Sequence, residues 1–192
     1  MNKNYIYIAL ICIAVVMVGL STRESFVTTT PEPITTITSK NCLSDDCLMV
    51  DGLEYPVSTL TAEAKLALDK ALDDEYKAFS SYQAIIAKLG SSRPFSMIIG
   101  AEEQHIASLK ALYTKYGVTP IENKYLGKIN SPATLTAACL AGVEAEISNA
   151  KLYKEELLGL VVAYPDITQV FTNLMDASQL KHLPAFQKCS GR

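Results

Sequence analysis

The chain has 192 residues, 49% of them hydrophobic and none tryptophan, with 17 Lys and Arg against 20 Asp and Glu for a formal net charge of −3. That length supports one core and is short for two comfortable domains. Acidic and basic residues are interspersed, with no basic stripe to neutralise a phosphate backbone, so nucleic acid is not an expected partner.

From Tyr5 to Leu20 the sequence is almost wholly apolar, with Lys3 before it and Ser21, Thr22, Arg23 and Glu24 after it. Such a run is long for a signal-peptide core and short of the roughly 20 residues that span a bilayer. Residues 1–22 therefore read as a hydrophobic signal or anchor helix. It is either cut beside the small pair Gly19 and Ser21 or retained in the membrane. Lys3 favours a cytoplasmic start, which makes the domain extracytoplasmic, secreted or anchored to the outer face of the cytoplasmic membrane.

Residues 23–57 form a spacer and a cysteine loop. Thr28 to Ser39 reads TTTPEPITTITS, with little to bury. CLSDDC follows, bounded by Cys42 and Cys47, and lacks the length and ligand pattern of a calcium loop. With Cys139 and Cys189 these make an even set, which in an exported domain reads as disulfides before metal ligands. Cys42 with Cys47 and Cys139 with Cys189 is the pairing expected here, one of the three that four cysteines allow.

Residues 58–192 contain four amphipathic segments and no alternating strand pattern. The first runs from about Thr61 to Leu89, with Leu68, Leu72, Glu75, Phe79, Tyr82 and Ile86 on one helical face. Gly90 ends it. The second, about Arg93 to Tyr116, aligns Phe95, Ile98, Glu102, His105, Leu109, Leu112 and Tyr116. The link from Gly117 to Asn130 is long enough to cross the length of a helix. Ser131 and Pro132 suggest the third start, with Cys139, Val143, Glu146, Ala150, Tyr153 and Leu157 as its clearest stripe and Leu140, Glu144 and Ile147 beside it. The fourth begins near Asp166 and aligns Phe171, Met175, Ser178, His182 and Ala185, with Pro184 expected to kink or end it.

The stripes are interrupted by groups that are costly to bury without partners: Glu75, Glu102 and His105. Glu102 and His105, three residues apart, can point at one centre, and Glu75 can meet them from a facing helix. The third helix offers Glu146 or Glu144, of which Glu146 lies on the better stripe, and the fourth offers His182. Carboxylates with imidazoles suit iron or manganese. The pattern approaches the plan of ferritin-like carboxylate bundles, a Glu from two helices and Glu-x-x-His from the other two, except that Gln179 stands where the second motif would have its Glu. Asp73, Asp74, Glu103, Glu155 and Glu156 fall off the stripes and read as solvated faces. Tyr76, Tyr82, Tyr113 and Tyr153 read as core or rim.

The stretches ALDDEYKA, RPFS, AEEQH, GVEAEISNA, PDI and ASQLKHLPAF resemble the ferritin-like family catalogued as domain of unknown function 2202, over about Leu60 to Cys189. The resemblance implies an all-α, ferritin-like four-helix bundle, often exported in bacteria and archaea, with no settled activity. More distantly the chain resembles rubrerythrin, whose third helix carries Glu-x-x-Glu; here Glu146 and Asn149 hold that spacing. The expected function is an exported protein with two iron ions, or with manganese or another divalent metal, that oxidises ferrous iron or reduces oxygen or peroxide. A single-metal binding or sensing module and a metal-free structural bundle are the alternatives, and a homo-oligomer is open. No rubredoxin-like CxxC pair accompanies the domain, so any electron donor is external.

Overall fold

The computed structural model describes residues 58–191. The expected signal or anchor, the spacer and the Cys42 and Cys47 pair lie outside the described residues. Within them the chain is helical without strands, and no helix is long and apolar enough to cross a membrane.

Helix α1 spans Ala62–Leu89, opened by Thr61, whose extended backbone lets its side chain accept from the Ala64 amide. Gly90, at φ 84°, ends it in a conformation that a Cβ would oppose. Helix α2 spans Phe95–Lys115. Helix α3 spans Leu135–Leu152 and continues through a π turn, Tyr153–Leu157, and a 3-10 turn to Leu160. Ser131 and Pro132 do not start it: Thr134 is the N-cap, accepting from the Ala137 amide. Helix α4, Pro165–Ala177, runs through a second π turn, Ser178–His182, into α5, Leu183–Ser190. The fourth rod thus carries on past Pro184, which takes an opening position of α5. Proline is tolerated in a first helical turn because its missing N–H is one of the groups left unpaired there, and the wider i→i+5 turn before it supplies that start.

Cross-contacts fix the helix directions. Tyr113 on α2 donates to Asp69 on α1 at 2.8 Å, while His105 lies against Glu75, so the two run antiparallel. Lys70 meets Glu156 and Tyr82 meets Glu146, so α3 is antiparallel to α1 as well. Helices α2 and α3 therefore point the same way, and the link between them must return along the bundle. It does so beside α1: Asn123 bonds Ser80, Tyr125 donates to Asp73, and the Ser131 carbonyl accepts from Lys88.

Two apolar clusters fill the interior. One contains Leu68, Leu72, Leu109, Leu157, Phe171 and Leu174; the other contains Ile85, Phe95, Ile98, Val143 and Phe186. Cys139 and Cys189 are joined as a disulfide with Cα atoms 5.8 Å apart, tying α3 to α5. Gly142 makes that approach close, since a Cβ there would stand 2.6 Å from the Phe186 ring. Phe186 is itself hemmed by Tyr82 and Phe95, with ring centroids 5.4 and 5.1 Å away.

Candidate metal centre

Between the two clusters lies a polar layer. Each rod brings its stripe to the interior, and at one level every stripe substitutes a titratable group for an apolar one: Glu75 from α1, Glu102 and His105 from α2, Glu146 from α3 and His182 from the π turn. All five are buried, at 3% exposure or less. Burying that many ionisable groups is costly unless they neutralise one another or a cation.

Two triads result, Glu75 with Glu102 and His105, and Glu102 with Glu146 and His182; within each, one ligand atom per residue lies within 4.8 Å of the others. His105 Nδ1 is 3.1 Å from Glu75 Oε2 and 3.2 Å from Glu102 Oε2. His182 Nδ1 is 3.3 Å from Glu102 Oε1 and 3.5 Å from Glu146 Oε2. Glu102 thus turns one oxygen toward each half. The second half is looser than the first. His182 is close enough to its carboxylates for charge attraction, yet neither of its buried ring nitrogens has a hydrogen-bond partner. Buried polar atoms are rarely left so, and a cation at Nδ1 would satisfy one of them. The donors fit a metal on chemistry too, since carboxylate oxygens with imidazole nitrogens suit iron or manganese, and the three carboxylates offset three of the four charges that two divalent ions would bring.

The electrostatics are those of a shared counter-charge. Burial raises the Glu75 carboxyl above its ordinary range, opposed by His105 and reinforced by Glu102. Burial acts in the same sense on Glu102, but the charge and hydrogen bond of His105 and the nearby charge of His182 outweigh it and hold that carboxylate well below the ordinary value. Burial would lower both histidines; Glu102 and Glu75 instead lift His105 to about 10, and Glu102 and Glu146 lift His182 to about 9. Without a cation, the layer is therefore held together by imidazolium charge.

Further groups fix the carboxylates. Tyr82 Oη donates to Glu146 Oε1 at 2.6 Å, and Tyr153 Oη donates to Glu75 Oε1 at 2.9 Å. Each tyrosine lies seven residues after a glutamate of its own helix, and antiparallel packing crosses the pairs. Asn149 donates to Asp74 at 2.7 Å and, at 3.5 Å, to Glu75, while Ser178 donates to Asn149 at 2.6 Å. Such partners hold ligand groups in orientation.

Of the candidates read from the sequence, Glu75, Glu102, His105, Glu146 and His182 come together here. Glu144 does not: it is exposed on α3 and belongs to neither triad. Gln179 is exposed as well, because the π turn rotates the residue three before His182 outward and brings Ser178 inward. Asp74, read as a solvated face, is half-buried and accepts from Asn149. It lies one residue off the Glu75 stripe, so periodicity could not place it. The tyrosines carried a signal in their seven-residue offsets, legible only once antiparallel pairing is known.

No family model, curated protein or solved structure matches the chain. The class that the geometry defines is an all-helical bundle with a buried carboxylate and histidine layer that could hold a metal ion.

Proposed function

We propose that the layer is a two-ion metal centre and that the protein is an exported member of the ferritin-like group, acting in the oxidation of ferrous iron or the reduction of oxygen or peroxide. The observation that carries this is the pair of buried triads sharing Glu102, one of them with a histidine whose nitrogens lack partners. Glu75 and His105 would hold one ion, Glu146 and His182 the other, with Glu102 serving both. Iron in such a site supplies redox electrons, and manganese is the alternative. The two apolar clusters cover the layer from either end of the bundle, Tyr82 and Tyr153 hold the outer carboxylates, and Glu75, His105 and His182 are the groups that give up protons as ions enter. One long crossover between helices two and three also accords with ferritin-like topology. Export rests on the apolar run from Tyr5 to Leu20 and on the Cys139 and Cys189 pair, which suits an oxidising compartment.

A one-ion site is the second reading. Asn149 favours it, since it fills with an amide the place where a fuller centre would have a carboxylate.

The test of the reaction is ferrous oxidation. Full-length protein given ferrous iron without oxygen, then exposed to oxygen or peroxide, is expected to oxidise it faster than buffer does, with matching oxygen or peroxide uptake. His182→Ala should lose that rate. Oxidation no faster than in buffer would remove the redox reading.

A further inference from the structure

A cleft of about 390 Å³ lies between α1 and α3 beneath the end of the crossover link. Its mouth is polar, with Lys77, Glu144 and Ser148 all exposed. Its walls are small: Ala78, Ala138, Ala141, Gly142 and Ala145, with Ile85 below. Its floor is the centre itself, because Glu102 and Glu146 line it together with Tyr82. Glu75, His105 and His182 do not line it, so the cleft reaches the Glu146 side of the layer and leaves the Glu75 side closed.

The volume decides what the cleft is for. Dioxygen and peroxide are comparable to a water molecule, whose share of liquid volume is about 30 Å³. Ligand pockets for organic molecules run from about 300 to 1,000 Å³, mostly apolar with a few polar groups that set orientation. A passage for hydrated cations would want polar groups along its whole length, whereas this lining is mixed, with Ser81, Asn130, Asn149 and Ser178 set among small apolar side chains. Charge narrows the choice further. Asp74, Glu102, Glu144 and Glu146 all line the cleft against Lys77 as its one cationic side chain, which disfavours an anion.

We propose that the cleft is a binding site for a compact, neutral, mainly apolar organic molecule, of about the size of a phenol or an indole, placed against the Glu146 side of the centre. This placement rests on the metal reading, while the binding itself does not.

The experiment uses full-length protein and the ¹⁹F signals of fluorobenzene and 4-fluorophenol. With metal-free protein the signals should broaden saturably, and Ala141→Phe and Ala145→Phe, each at an exposed position of α3, should weaken binding at least tenfold. No saturable binding, or binding undiminished in both folded variants, overturns the cleft site whatever the metal does. After manganese(II) is added, the bound probe should relax faster because the ion lies at the cleft floor. Bound manganese without faster relaxation overturns the placement. Failure to bind manganese at all, with probe binding still blocked by the variants, overturns the metal reading and leaves the cleft site supported.

Discussion

His105 and His182 come from different helices, yet their rings lie 5.5 Å apart between centroids and only 22° from parallel. Two imidazoles that both carry positive charge in the metal-free layer would repel at that separation. They are reconciled by Glu102, which sits against both.

Removing the Glu102 charge should therefore harm both halves together. Glu102→Gln keeps the shape and is expected to cost about 3–5 kcal/mol of metal-free stability, the range for breaking a buried ion pair. Urea unfolding measures it. A change below about 1 kcal/mol would show that the two histidines do not depend on this carboxylate.

The same charges predict opposite pH trends for stability and for metal affinity. His105 and His182 have folded values of about 10 and 9 against an ordinary 6.5, so their stabilisation is fully present below pH 6.5 and is lost as pH rises through 9 to 10. Glu75, raised by burial, falls in the same direction with rising pH, starting from its ordinary 4.5. Glu102, held low, contributes above pH 4.5 and loses that contribution as pH falls through its folded value. Metal-free protein should thus melt highest between about pH 4.5 and 6.5 and progressively lower toward pH 10. Metal affinity should instead increase from pH 6 to 9, because ligands must shed protons to bind. Thermal melts and metal titrations across that range check both, and parallel trends would contradict the assignment.

Tyr82 and Tyr153 should act as positioning residues. Tyr82→Phe and Tyr153→Phe each remove one hydrogen bond to an outer carboxylate, with a stability loss of about 1–3 kcal/mol. Metal affinity should drop roughly 10- to 100-fold, as when outer partners of ligands are lost. Competition with a calibrated chelator reads the affinity. Stability loss with unchanged affinity would make the tyrosines purely structural.

Much of this architecture is legible in the sequence because burial imposes a helical period. Glu75, Glu102, His105, Glu146 and His182 each interrupt an otherwise apolar stripe, and the stripe of α3 separates buried Glu146 from exposed Glu144. What the period cannot register is a local change of period. The π turn at Ser178–His182 moves Gln179 outward, so its lack of a carboxylate is a difference at an exposed position, and the same turn lets the rod continue past Pro184. Asp74 escapes for the opposite reason, since its partner Asn149 comes from a helix 75 positions away.

Metal stoichiometry tests the central claim most directly. Full-length protein is loaded with ferrous iron in the absence of oxygen, freed of loose metal, and its iron per chain is measured beside a Glu102→Ala, His105→Ala double variant. The account predicts close to two ions per chain, lost in the variant; no specific binding in either protein would contradict it and leave the layer a set of buried polar contacts.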